Sequence, residues 1–202
     1  MREREELKKA FNETMALHER VASGDLSPIL DAVGAITACL QGGGRLLVFG
    51  NGGSASDAQH TAAELVGRFL RDREPLAAIA LTADTSVLTS VANDEGFARV
   101  FARQIEALGR AGDVALAITT SGASPNVVAA LEAARHRGLT TIALTGRDGG
   151  AAGRAASLHI NVASDSTPRV QEVHRTILHA ICDLVERSVV DATGGLRRDV
   201  RR

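Results

Sequence analysis

Tryptophan and tyrosine do not occur in the 202 residues, and the aromatic content is five phenylalanines. So few flat rings leave no stacking platform for single-stranded nucleic acid. Neither sign of charge dominates: 23 Lys+Arg against 24 Asp+Glu give a formal net charge of -1, so no general attraction to a polyanion follows. No apolar run approaches the ~20 residues of a membrane span. The opening stretch, Met1-Arg-Glu-Arg-Glu-Glu-Leu-Lys-Lys9, has no apolar leader core. The two cysteines, Cys39 and Cys182, sit in apolar helix-like stretches and read as buried free thiols of a reducing compartment. The expected compartment is the cytoplasm, and neither nucleic acid nor a membrane is an expected partner.

The length suits one good-sized core. Twenty glycines and many alanines suggest tight turns and closely packed helices. Leu7, Phe11, Met15, Leu17 and Val21 recur at roughly helical spacing, Ser23-Gly24-Asp25 breaks the pattern, and Ser27-Pro28 opens a second helix with Ser27 as its N-cap. Gly42-Gly43-Gly44 ends it. A unit then occurs twice. An apolar run, 45–49, leads into Gly50-Asn-Gly-Gly-Ser54 and a helix over 55–70. A second run, 113–118, leads into Thr119-Thr-Ser-Gly-Ala-Ser124 and a helix over 125–137. Between them lie a strand candidate at 76–81 and a helix over 97–108; after them come strands at 140–144 and near 158–162 and a last helix over 167–190. Apolar strands alternating with helices predict a three-layer α/β sandwich, a parallel sheet with helices on both faces, preceded by a helical pair. The expected division is 1–43 for the helical pair, part of the same domain and suited by its apolar stripes to build an oligomer, 44–192 for the core, and 193–202 for a frayed Gly/Arg-rich tail.

Both polar loops follow strands and open helices, the edge at which open parallel sheets bind ligands. A helix N-terminus offers free N–H groups and partial positive charge. Thr119, Thr120, Ser121 and Ser124 add hydroxyl donors, and Gly122 permits close backbone approach. This chemistry suits a phosphate monoester, or else a plain Ser/Thr cap cluster. Residues 50–55 also fit a loose G-x-G-x-x-A dinucleotide pattern, but the nearest acid, Asp84, lies too far along the chain for that fingerprint. His60 and Glu64 are four apart and share one helical face. Gln171 and His179 are eight apart on the last helix, about 80° apart around it. Two imidazoles, a carboxylate and an amide oxygen have the donor types of a tetrahedral zinc site, although periodicity alone does not bring the two helices together. His18, His136, His159 and His174 read as surface or structural.

The segments Gly50-Asn-Gly-Gly-Ser-Ala-Ser-Asp-Ala-Gln-His60, Ala63-Glu-Leu-Val-Gly-Arg-Phe69, Ala78-Ile-Ala-Leu81, Ala92-Asn-Asp94, Thr120-Ser-Gly-Ala-Ser-Pro-Asn126, Leu144-Thr-Gly-Arg-Asp-Gly-Gly150 and Val170-Gln-Glu-Val-His174 resemble the phosphoheptose isomerase family of the sugar isomerase (SIS) fold. The resemblance runs from about Gly44 to Val190. It implies a flavodoxin-like SIS domain, a homotetramer with active sites at subunit interfaces, and interconversion of sedoheptulose 7-phosphate and D-glycero-D-manno-heptose 7-phosphate through a cis-enediol(ate). It implies zinc, one per subunit, held by His60, Glu64, Gln171 and His179, with Glu64 and His179 as the proton-transfer pair. Substrate contacts carried over in the same way are Asn51, Gly52, Gly53, Ser54, Glu64, Asn93, Asp94, Thr119, Thr120, Ser121, Ser124 and Gln171.

Two positions depart from the family's pattern. Ala123 stands where an Asn is usual, and Pro168 where an Ala or Asp is frequent, so reaction type is better supported than substrate identity. The rival readings are an isomerase of another sugar phosphate and a non-catalytic SIS-domain protein associated with the replication initiator. Relatives of the second kind lack the groups found here at Glu64 and His179.

Overall fold

The computed structural model describes residues 1–192; the expected tail, 193–202, lies outside the described residues. Five parallel strands form one sheet: β1 (Leu46–Gly50), β2 (Ala78–Ala80), β3 (Val114–Thr119), β4 (Thr140–Gly146) and β5 (Leu158–Val162), in the order β2-β1-β3-β4-β5. The helices are α1 (Arg2–Ala22), α2 (Ser27–Gln41), α3 (Gly53–Val66), α4 (Thr85–Asp94), α5 (Ala102–Leu108), α6 (Pro125–His136), α7 (Gly150–Ala155) and α8 (Thr167–Ala192), with a 3-10 turn at Phe97–Arg99. The register is regular, Leu46 lying opposite Val114 and Val114 opposite Thr140.

Burial on both faces explains why the central strands are predominantly apolar. Leu46, Val48, Val114, Leu116, Ile118, Ile142 and Leu144 point into a layer with α2, α3 and α8. Leu47, Phe49, Ala115, Ala117 and Ala143 point into the other, with α5, α6 and α7. On that second face the strand alanines meet Ala130 and Ala134 of α6, so helix and sheet approach closely, and the larger volume comes from the Phe49–Phe101 ring pair, centroids 5.5 Å apart. The three-layer sandwich expected from the sequence is the architecture observed. Among the described residues no helix is long and apolar enough to cross a membrane.

Several element boundaries differ from expectation. Ser27 is the first helical residue of α2 rather than its cap; the cap position is Leu26, and the Asp25 carboxylate accepts the Ser27 N–H. The helix expected over 55–70 stops at Val66, where Gly67 leaves helical geometry and the Arg73 guanidinium takes the carbonyls of Glu64, Leu65 and Gly67. The strand at 76–81 shortens to Ala78–Ala80, and the helix at 97–108 is a 3-10 turn followed by α5. Helix α4 has no fully buried residue, and its Leu88, Val91 and Ala92 pack only partly on the core; its start signal is Asp84, whose side chain accepts the Val87 N–H. Asp84 is thus a helix cap, which accounts for it without a dinucleotide.

The strand order reverses between β1 and β3, so the chain leaves these adjacent strands in opposite directions. Their following loops, 50–53 and 119–124, open a crevice at the carboxyl edge of the sheet.

Candidate active site

At that crevice the N-termini of α3 and α6 lie side by side. Asn51 and Asn126 lock the two loops together: each amide donates to the other's oxygen, at 2.9 and 2.8 Å. Asn51 is therefore committed to a loop-to-loop bond, and its buried partner Asn126 is a site-building residue that the sequence reading left unassigned. Gly52, at φ 56 and ψ -121, occupies a region open essentially to glycine alone, which turns the chain from β1 into α3. Gly52 and Gly53 are exposed at the mouth of the crevice, whereas Ser54 is buried.

In the second loop Ser124 sits at the cap position of α6 yet makes no side-chain cap bond. The Thr119 hydroxyl lies 3.5 Å from those of Ser121 and Ser124, the outer limit of a hydrogen bond, and Ser121 Oγ accepts the Ala123 N–H at 3.2 Å. The hydroxyl protons of Ser121 and Ser124 thus have little to do inside the protein. Gly122 has a packing role that the sequence does not show. At φ 65 a Cβ there would collide with the backbone of Gly149 and Gly150, so the missing side chain lets the loop after β4 pack on the loop after β3. The Ala152 N–H donates to Gly122 O at 2.8 Å across that contact. Asn93 and Asp94 end α4, where the Asn93 amide donates to the Asp94 carboxylate at 2.7 Å.

Helices α3 and α8 run side by side in the same direction. Gly53 faces Gln171, Asp57 faces Arg175 and His60 faces His179. On α3 these positions are spaced four and three, and on α8 four and four, so one stripe of each helix builds the seam. His60 Nε2 and His179 Nε2 are 2.8 Å apart, and His60 Nε2 is 3.2 Å from Glu64 Oε1. The structure therefore gathers His60, Glu64 and His179 at one point. Only one proton fits on the line between the two imidazole nitrogens, so one donates and the other accepts. Gln171 stands two turns away, its amide packed over Gly53 where a Cβ would collide, and it makes no hydrogen bond to the three. The Phe69 ring flanks His179, centroids 5.5 Å apart.

Burial pushes the His179 pKa below its usual value, the charges of His60 and Arg175 push the same way, and Glu64 and Asp57 oppose. His179 is thus neutral near pH 7 and has a lone pair to offer. The two imidazole nitrogens and the carboxylate have the donor chemistry that zinc takes. Their spacing is that of hydrogen bonding, and among the described residues no group of three His, Cys, Asp or Glu is arranged as a finished metal site. The donor types fit; the contacts shown are one hydrogen bond between the imidazoles and one ion-pair contact from His60 to Glu64.

Asp57, buried and ion-paired with Arg175, and His174 were not read as part of the site. His174 is fully buried; its Nε2 lies 2.9 Å from Thr145 O, which can only accept, and its Nδ1 has no partner. It is a neutral structural histidine, as the sequence reading had it. Burial lowers its pKa, against partial opposition from the Thr145 bond and the Asp57 charge. An unfolded histidine takes up a proton near pH ~6.5, which folded His174 refuses. Its contribution to stability is therefore present above that pH and is lost as the pH falls below it toward the folded value. The urea midpoint is expected to drop between pH 7 and 5.5, and less so in His174→Gln. An equal drop in both proteins would remove His174 from the account.

The model of the SIS domain matches residues 11–146 of the chain. The chain belongs to the SIS-domain family, the class that its sheet order and loop site define. It is 56% identical over 167 residues to the phosphoheptose isomerase of Citrifermentans bemidjiense, covering 82% of this chain and 87% of that protein. To the phosphoheptose isomerase of Aquifex aeolicus it is 50% identical over 187 residues, covering 93% and 98%. The structure of phosphoheptose isomerase GmhA from Neisseria gonorrhoeae superposes with a TM-score of 0.87 at 43% identity, covering 91% of this chain and 98% of that one. Within the SIS family, then, the chain belongs to the phosphoheptose isomerases.

Proposed function

We propose that this isomerase interconverts sedoheptulose 7-phosphate and D-glycero-D-manno-heptose 7-phosphate through a cis-enediol(ate), with Glu64 and His179 as its acid/base pair. The observation that carries the reading is the meeting of Glu64, His60 and His179 on the α3–α8 seam. Aldose–ketose exchange removes a proton from the carbon beside a carbonyl and returns one to its neighbour. The Glu64 carboxylate is the group to take and return that proton, while neutral His179 moves the hydroxyl protons. The phosphate belongs at the paired N-termini of α3 and α6, among the Thr119, Thr120, Ser121 and Ser124 hydroxyls and the amides of Gly52 and Gly53. Gly53 and His60 are two turns apart, about 10 Å, which suits the reach of an extended sugar phosphate whose far end reacts.

His60, Glu64 and His179 would hold zinc in this reading, and Gln171 would join them by leaving Gly53. When bound, zinc supplies positive charge beside oxygens on which negative charge develops. Exposed Leu7, Phe11 and Met15, spaced i, i+4, i+8 along α1, with Leu30 of α2, support self-association into a tetramer. Such an assembly offers Asn93 and Asp94 a route to a neighbour's site. The cytoplasm is the compartment this reading assigns.

The experiment is an isomerase assay over a panel of ketose phosphates, with and without a chelator. Turnover is expected with the seven-carbon substrate. Activity confined to another chain length would support the rival isomerase. No turnover with any of them, metal supplied, would favour the replication-initiator binding role. A second expectation concerns the anion site. Ser121→Ala and Ser124→Ala should each weaken the affinity for a phosphorylated sugar about tenfold, the worth of one hydrogen bond to a charged group. Calorimetric titration with a non-reacting sugar phosphate measures this, and unchanged affinity in both variants would put the phosphate elsewhere.

A further inference from the structure

Glu186 lies two turns beyond His179 on α8 and is fully buried, yet it carries a carboxylate. Burying such a group is unfavourable unless its oxygens are fully engaged. Here they are. The Phe69 N–H donates to Oε1 at 3.0 Å, and the Leu70 and Arg71 N–H groups donate to Oε2 at 2.9 Å each. Arg73 Nε lies 3.2 Å from Oε1 as an ion pair without hydrogen-bond alignment, and Arg71 Nη1 lies 3.6 Å from Oε2. Three successive amides turned onto one anion form a nest, in a stretch between α3 and β2 that has no ladder of its own.

Two connections lead from this carboxylate to the reacting groups. The first runs through Phe69, whose backbone Glu186 holds and whose ring flanks His179. The second runs through Arg73, whose side chain is 3% exposed: its Nη2 donates to Glu64 O at 2.8 Å and its Nη1 to Leu65 O at 2.8 Å. Arg73 thus caps the end of α3 that bears Glu64 while its charge is tied to α8. We infer that Glu186, with Arg73 and Phe69, is a positioning residue that sets the approach of Glu64 on α3 to His179 on α8.

The inference rests on the acid/base reading of the site, and its test separates the two. Glu186→Gln keeps the volume but turns an amide N–H toward donors; Phe69→Leu removes the ring with less disturbance of the buried charge, so an informative variant remains if the first does not fold. Asp113→Asn is the control. Asp113 is another buried carboxylate, which accepts the Arg45 and Arg110 N–H groups at the opposite end of the sheet, away from the site. At a temperature where circular dichroism shows every variant folded, Glu186→Gln and Phe69→Leu are expected to lower kcat about tenfold or more, with KM for the ketose phosphate within about twofold of wild type. Asp113→Asn should lower Tm but leave kcat unchanged. Wild-type kcat in both site-side variants would overturn the proposal and leave Glu186 a stability residue. If Glu64→Gln proves as active as wild type, the acid/base reading fails instead. A crystal structure of Glu186→Gln then decides the positioning claim by itself: His60, Glu64 and His179 displaced supports it, and all three in place refutes it.

Discussion

Glu64→Gln is expected to lose about 10²–10⁴-fold in kcat, the range that one positioned acid/base group supplies, while the variant still binds the sugar phosphate. The amide keeps the size and one acceptor oxygen of the carboxylate but has no basic oxygen to take a carbon-bound proton. Glu64 lies in the last turn of α3, and the seam there is held by Phe69 and Arg73 rather than by the carboxylate itself, so the substitution should leave the helix pair intact. The loops proposed to take the phosphate sit at the other end of α3, which is why affinity and turnover should separate. Rapid-mixing kinetics with a calorimetric binding measurement resolves them. A variant of near-normal rate would remove Glu64 from the chemistry, and one that no longer binds would make Glu64 a substrate-holding group instead.

Gly122→Ala carries the second large effect, and it works through backbone. A Cβ at this residue would meet Gly149 and Gly150 main-chain atoms, which have no rotamer with which to give way, and its φ of 65 is unfavourable for an L side chain. Conformational strain and overpacking together are worth about 4 kcal/mol. For a chain of this size that is a fall in Tm of about 10 °C. The loop after β3 should also be displaced, so sugar-phosphate affinity should fall as well. Differential scanning calorimetry checks the first part and ligand titration the second. A variant with wild-type Tm would mean that the two loops do not touch. Gly52→Ala makes a useful contrast: it shares the positive φ but has open space around its would-be Cβ, so its cost should be strain alone.

The fold was legible because its strands are extreme. Runs such as Leu46–Gly50 and Val114–Thr119 are buried at every position and almost wholly apolar, as parallel central strands need and surface strands do not. The two loops were legible for a related reason, since Gly and Ser/Thr after such strands mark the ligand edge. Helix α4 was not: it buries no residue fully, and only Leu88, Val91 and Ala92 pack partly against the core, while α7 hid in a glycine-rich stretch that reads as a turn.

For the site, helical spacing put His60 with Glu64 on one face and left Gln171 and His179 just over two turns apart on the last helix. Only the packing of α3 on α8 shows that His60 meets His179 while Gln171 meets Gly53. Asp57 and Arg175 carried a readable signal, lying three before His60 and four before His179 on the same stripes. Glu186 carried another: it is a buried carboxylate seven residues past His179, continuing the Gln171–Arg175–His179 stripe of α8. A charge in such a stripe needs a partner, but the partners, the N–H groups of residues 69–71, leave no mark in side-chain chemistry.

A crystal structure of the Glu64→Gln variant holding sedoheptulose 7-phosphate tests the central claim most directly. The account predicts C1 and C2 of the sugar between side chain 64 and the His179 ring, within about 3.2 Å of each, and the phosphate at the N-termini of α3 and α6. A sugar whose C1 and C2 lie away from the α3–α8 seam, with side chain 64 and His179 opening on separate pockets, would contradict it.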